Sequence, residues 1–417
     1  MRWIGFNLML IVKRSFFKIV LLLVVVFCGV STNAQQVFAS EPGSVDQAVK
    51  QLLQAGKPAD VWINILDVAT PLQESFTSDV QTKQAINNWA NSVDSAKKKI
   101  KSKLKTTNLV RDYKYVPVIQ AQLNSPAELN AVLESGSNIY VSLPPVLEVT
   151  ADAQSMTLIK SAPSLNDGRN GAGTEVAVID DTGNHGNNVA AIVKDVAPGA
   201  NVVRYDLNDI LGSTTRIIAR KARGVNVVAV NMSFHTAGIS FSFGECTNTG
   251  LDAVIASLVA VDILPVAASG NEAQNTRLNS PACLPGVVAV GATYDQSWNI
   301  NWTYPADGER LIPCTDRAPL VKQPTCFTNV SRDLDVWAPG HNITAGGITM
   351  SGTSQATAHV SGAVAMLRQA VPSANNFQVT KALKSAGKPI TFRGVTRRFL
   401  NVRGATNALF TITIPAS

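Results

Sequence analysis

The 417-residue sequence predicts a doubly wound α/β domain with a mostly parallel sheet, preceded by a smaller α+β unit. Three observations carry that prediction. From about residue 152, short and almost continuous apolar runs alternate with helix-like segments, as in strands buried on both faces of a parallel sheet. Residues 41–151 carry a few strands and helices and an even balance of 11 basic and 11 acidic side chains. At 46% apolar and 16% charged residues, the chain has material for a large core and lacks the composition of a disordered one.

The chain opens with Arg2, Lys13, Arg14 and Lys18 ahead of the apolar run 19–27, and no acid occurs before Glu41. Thr32-Asn33-Ala34 supplies small residues for a cleavage site. Residues 1–34 therefore read as a secretory signal peptide, and the apolar run is too short for a spanning anchor. The expected destination is the periplasm or the exterior, with membrane contact only through the signal peptide before cleavage. The formal charge of +7 hints at an anionic partner. Four of those charges lie in residues 1–40, which leaves +3, so a nucleic-acid partner loses its support. Of five cysteines, Cys28 belongs to the apolar run. Cys246, Cys283, Cys314 and Cys326 remain, an even number compatible with two disulfides in an oxidising compartment. Sequence proximity favours Cys246–Cys283 and Cys314–Cys326, although four cysteines allow three pairings.

In the first unit, 61–68 and 116–123 read as strands and 81–105 as a long polar helix. Residues 125–136 form a helix with Ser125 as N-cap and Pro126 at the first position. Short strands follow at 138–141 and 146–149. The lysines between 97 and 105 are expected on a solvated helix face, because no aromatic residues interleave with them as in a nucleic-acid platform. In the second unit the strands are 175–179, 201–205, 226–231, 262–268 and 286–290, with helices such as 213–223 and 248–261 between them. Function is expected at the carboxyl ends of these strands.

Three pieces of chemistry stand there. The chain has only four histidines, His185, His235, His341 and His359, from which a serine-activating base must come. His185 follows the strand-ending pair Asp180-Asp181 and shortly precedes the helix-like run 189–193. A carboxylate there can receive the imidazole N–H and fix its tautomer, and five residue steps are easily closed by a turn. Ser354 follows Gly-Thr and opens a helix of small residues over 355–367, whose first amides favour a developing oxyanion. Its plainer reading is a helix N-cap. Asn271, after Gly270 and just beyond the strand 262–268, can aim a carboxamide at the same oxyanion, or can simply be a turn residue.

The segments VAVID (176–180), HG…VA (185–190), VAPGA (196–200), NMS (231–233), AASGN (267–271), DVWAPG (335–340) and GTSxA…HVSG (352–362) occur in order. Together they resemble the subtilisin family of serine peptidases over residues 160–408, with the same Asp, His, Ser order along the chain. The resemblance implies a serine endopeptidase with Ser354 as nucleophile, His185 as general base and acid, and Asp180 as the residue that orients the imidazole. Asn271 and the Ser354 amide form the oxyanion hole in this reading. Ser233 and Phe234, with Ala268, Ser269 and Gly270, line the cleft for an extended polypeptide substrate. Residues 41–151 resemble the family's inhibitory propeptide, an intramolecular partner removed by autolysis at roughly 150–165, which leaves 152–417 as the peptidase domain.

The chain departs from the family pattern in several places. The long insertion between acid and histidine is missing, as in compact members. The doubled acid makes Asp181 an alternative to Asp180; the strand-end position favours Asp180. A histidine-glycine-threonine-histidine run is here His185-Gly186-Asn187-Asn188, Ala358 stands where proline is usual, and His235 stands where a small glycine lines the pocket. A catalytically silent, secreted binding protein on the same fold is the alternative from another functional class. Asp181-Thr182-Gly183 also matches an aspartic peptidase loop, but the chain has no second such loop. The glycines of 168–173 precede a strand where a dinucleotide site needs them after it. No tight Cys/His cluster suggests zinc. Structural calcium is compatible with the family, but no acidic loop nominates ligands.

Overall fold

The structure, a computed structural model, describes residues 44–413 except 67, 69–78, 106–107, 136–137, 145–146, 150–155, 237–239, 243–245, 247–248 and 307–312. The signal-peptide expectation lies outside the described residues.

The first part of the chain runs β1 (Ser44–Val45), α1 (Gln47–Gln54), β2 (Ala59–Ile65), α2 (Asp79–Lys101), β3 (Leu109–Asp112), β4 (Val118–Leu123), α3 (Pro126–Leu133) and β5 (Ile139–Ser142). Its strands form one sheet in the order β1-β5-β2-β4-β3. The two faces of β2 separate with the strand period of two. Ala59, Val61, Ile63 and Ile65 close on Leu53, Leu129 and Val132 of the unit's own helices. Trp62, with Trp89 of α2 and Val118 of β4, joins the apolar cluster of the larger domain. Ser125 caps α3 by accepting the Glu128 amide, with Pro126 in the first turn, as the sequence indicates.

One expectation in this unit needs correction. Lys97 is not on a solvated face: it is 1% exposed, and its ammonium donates to Asp112 Oδ1 at 2.7 Å and to the Tyr113 carbonyl. Burial holds it down at about 8. The 3.6-residue period turns this position inward toward β3, where Asp112 compensates the charge; Lys98 on the same helix remains exposed.

The next strand, β6 (Leu147–Val149), leaves that sheet. The second part continues with α4 (Ser161–Asn166), β7 (Glu175–Asp180), α5 (Asn184–Val196), β8 (Asn201–Asp206), α6 (Ile210–Ala222), β9 (Val227–Met232), β10 (Phe234–Thr236), β11 (Ser240–Ser242), α7 (Asp252–Val259), β12 (Leu264–Ala268), β13 (Arg277–Asn279) and β14 (Val288–Thr293). It ends with β15 (Trp302–Tyr304), β16 (Cys314–Asp316), β17 (Val336–Pro339), β18 (Ile343–Ala345), β19 (Ile348–Met350), α8 (Thr353–Ala370), α9 (Asn376–Ser385), β20 (Pro389–Phe392), β21 (Val395–Phe399) and α10 (Val402–Thr413).

The main sheet has the order β20-β21-β17-β14-β12-β9-β7-β8, parallel throughout except for the antiparallel β20–β21 pair. The predicted strands all appear, each within a few residues of its expected limits. β7, β9, β12 and β14 are buried along their whole length, which is why they read as unbroken apolar runs. α8 packs on this sheet, and α5 lies beside α8 at a close approach: Gly362 faces Val196, where any side chain would collide. Both favoured disulfides are present, Cys246–Cys283 and Cys314–Cys326. Among the described residues no helix is long and apolar enough to cross a membrane. No group of three or more His, Cys, Asp or Glu among them could hold a metal ion.

Candidate active site

β7 delivers a carboxylate to the edge of the core. Asp180, its last residue, is fully buried, and its Oδ1 accepts from His185 Nδ1 at 2.7 Å and from the Asp181 amide at 2.8 Å. Burial pushes the Asp180 carboxyl up, and the His185 hydrogen bond pulls it back. An acceptor at Nδ1 fixes the imidazole tautomer and leaves Nε2 as the basic nitrogen. His185 Nε2 is buried without a hydrogen-bond partner among the described residues.

Asp181 does different work. Its Oδ1 accepts the amides of Gly183 at 2.8 Å and Gly186 at 3.0 Å, so it builds the turn that starts α5. Those contacts start the helix at Asn184, and His185 lies in its first turn, not ahead of it as the apolar run 189–193 suggested. Gly186 is required there: a Cβ would stand 2.3 Å from the Asp181 carbonyl oxygen. The two asparagines beside His185 also find partners. Asn187 accepts from Arg204, which also donates to the Asp181 carbonyl at 2.6 Å. Asn188 donates to the carbonyls of Ala345 and Ile348 at 3.2 and 3.0 Å and accepts from Gln355 Nε2 at 2.9 Å. This last bond ties the N-terminal part of α5 to the first turn of α8.

Ser354 is the second residue of α8, and Gly352 occupies the cap position, so Ser354 is not the N-cap. Amides in a helix's first turn have no intrahelical acceptor. The Thr353 amide and hydroxyl both donate to Asn271 Oδ1, at 2.9 and 3.0 Å. With Oδ1 so engaged, the carboxamide presents Nδ2 as its donor end. Ser354 Oγ donates to the Ser233 carbonyl at 3.1 Å, and Ser233 Oγ donates to the Ser354 carbonyl at 2.9 Å. Among the described residues no hydrogen bond joins Ser354 Oγ to His185 Nε2. Catalytic hydrogen bonds of this kind commonly tighten only with substrate. Ala358 sits inside an unbroken α8, so the missing proline leaves no mark.

The expected cleft residues lie at the ends of β9 and β12. Ser233 is buried and touches Ser354 directly. The Phe234 ring is buried in the apolar core, and its backbone follows directly on Ser233. That backbone, in β10, pairs antiparallel with β6, with Phe234 opposite Val149 and His235 opposite Glu148. Ala268 ends β12, and Ser269 and Gly270 follow it; Gly270 has a φ of +105°, and a Cβ there would stand 2.3 Å from Asn329 Nδ2. Sequence reasoning missed Thr353, Gln355 and Glu272. Their signal was only adjacency, each lying next to Ser354 or Asn271. The remaining histidines are accounted for: His359 meets the Gln355 carbonyl at 2.7 Å inside α8, and His341 meets the Tyr304 hydroxyl at 2.6 Å.

Comparison with known proteins agrees with this geometry. The subtilase family model matches residues 129–400. An alkaline protease of Alkalihalobacillus alcalophilus is 28% identical over 320 residues, 66% of this chain and 76% of its own. Subtilisin BL of Lederbergia lenta is 32% identical over 266 residues, 61% of this chain and 81% of its own. Alkaline elastase YaB of a Bacillus strain is 24% identical over 82% of this chain and 94% of its own. A family match across well over half of the sequence, on a parallel sheet that ends in an acid, a histidine, an asparagine and a serine, leaves one assignment: the chain belongs to the subtilase family and is a serine-type endopeptidase.

Proposed function

We propose that the protein is exported as a precursor, and that Ser354, His185 and Asp180 form its catalytic triad. The observation that carries this reading is the 2.7 Å contact between buried His185 and buried Asp180, on a helix start that the Gln355–Asn188 bond ties to the start of α8, where Ser354 lies. In the proposed cycle Ser354 Oγ attacks the scissile carbonyl while His185 Nε2 takes its proton. His185 passes that proton to the leaving amine, and an acyl-enzyme remains. Water, deprotonated by His185, then hydrolyses the ester. Asp180 holds the imidazole and stabilises it when charged. Asn271 Nδ2 and the Ser354 amide receive the oxyanion; removing one such donor costs roughly 100–1,000-fold in turnover.

Residues 41–151 act as a propeptide in this reading, after export directed by residues 1–34. The antiparallel pairing of β6 with β10 supports it, because an extended segment then occupies the backbone edge beside Ser233 that a substrate would use. The propeptide blocks the cleft until Ser354 cleaves it away at roughly 150–165, which leaves 152–417 as the active form. The substrate class is polypeptide, in line with the proteases it resembles. Expression of the full chain tests this. Wild type should shorten by the mass of the propeptide, and Ser354→Ala should stay full length after signal removal. A Ser354→Ala chain that shortens normally overturns self-processing.

A further inference from the structure

Two segments bound the space beside Ser354. One is 233–236, where Ser233 touches Ser354; the other is 268–272, where Asn271 is anchored to Thr353. On the triad assignment proposed above, a scissile carbonyl between Ser354 and Asn271 has one of these segments on either side, and the side chain of its residue enters between them. That space is bridged. His235 reaches from β10 toward Glu272, and its Nε2 lies 3.5 Å from Glu272 Oε1; the two side chains are 3% and 13% exposed.

The carboxylate end of the bridge is also fixed in place. Asn279 Nδ2 donates to Glu272 Oε1 at 2.8 Å, and Asn329 Nδ2 donates to Oε2. Asn329 Oδ1 in turn accepts the amides of Glu272 and Gln274, at 3.1 and 2.9 Å. Moving the carboxylate aside takes the acceptor from the Asn279 amide and one of two acceptors from the Asn329 amide. An aromatic ring between two walls needs roughly 7 Å, twice an ordinary carbon–carbon contact. A 3.5 Å strut excludes it.

We propose that the His235–Glu272 pair sets the specificity of the enzyme, so that it cleaves after small residues and rejects aromatic and long aliphatic ones. The claim rests on the triad assignment above, which locates the scissile carbonyl. The test uses the matured enzyme and four peptidyl coumarin amides that differ only in the last residue: Ala, Ser, Leu or Phe. Wild type should show kcat/KM for Ala and Ser at least about tenfold above Phe, within the range that pocket size commands. His235→Gly should raise the Phe-to-Ala ratio of kcat/KM by about tenfold or more. Active sites are counted in both enzymes with a fluorophosphonate, so a misfolded variant is recognised; the wild-type ranking then decides alone. A wild-type preference for Phe or Leu overturns the proposal. So does an unchanged Phe-to-Ala ratio in a His235→Gly enzyme with intact active sites. An enzyme that neither labels nor cleaves any of the four overturns the triad assignment, and the specificity claim falls with it.

Discussion

At the end of β7 two adjacent carboxylates take different partners. Asp180 turns into the core and meets His185 Nδ1, and Asp181 turns outward and accepts two turn amides. Only the first is placed to fix an imidazole tautomer. Asp180→Asn should therefore lower kcat by about 10⁴, as loss of the correct tautomer does in other triads. Asp181→Asn keeps an oxygen for the same amides and should retain most of the activity. Steady-state kinetics on both variants checks the assignment; equal losses would contradict it. The sequence favours Asp180 because it ends an apolar strand, and it is Asp180 Oδ1 that meets His185 in the structure. Lys97 was not legible in this way. Its buried ion pair depends on Asp112, which a different element brings to it. Glu272 was equally silent, since its role appears only when β10 and the loop after β12 face each other.

The site is assembled at the level of elements by two helix starts and three strand ends. α5 and α8 carry His185 and Ser354, and their distance is set where Gly362 meets Val196. A Cβ on Gly362 would stand 2.6 Å from Val196 Cβ and 3.0 Å from the Val193 carbonyl oxygen. Gly362→Ala should push the helices apart and destabilise the fold by about 1–3 kcal/mol, the usual cost of overpacking. A denaturant titration reads that loss as a lower midpoint; an unchanged midpoint would show that the helix pair can yield there. The central strands were legible in the sequence because burial on both faces leaves continuous apolar runs. β20 and β21 were not. Pro389–Phe392 is only half-buried, and β21 carries Arg397, whose guanidinium donates to the Leu334 and Arg332 carbonyls. β6 was legible as a strand but its partner was not, since the β10 pairing joins segments some 85 residues apart in sequence.

Buried titratable groups couple the stability of the whole molecule to pH. Burial holds His359 and His341 down at about 4. The folded protein keeps both neutral, while the unfolded chain binds protons near 6.5. Their contribution to stability is therefore fully present above about pH 6.5 and is lost as pH falls toward 4. Asp295, pushed up to about 7 by burial, works in the opposite direction, so wild type alone does not isolate the histidines. The comparison with His359→Gln does: the stability advantage of wild type should shrink between pH 7 and pH 4.5 in denaturant titrations. An advantage that does not change with pH would contradict the buried neutral state. Charge at this scale was legible from the start, because all of the net positive charge ahead of residue 152 belongs to the first forty residues.

The central claim is that Ser354 is a nucleophile activated by His185 and Asp180. The most direct measurement is mass spectrometry of the matured enzyme after treatment with a fluorophosphonate, with the modified peptide sequenced. The account predicts a single stoichiometric adduct, on Ser354. A folded, matured enzyme that takes up no label, or takes it up at another residue, would contradict it.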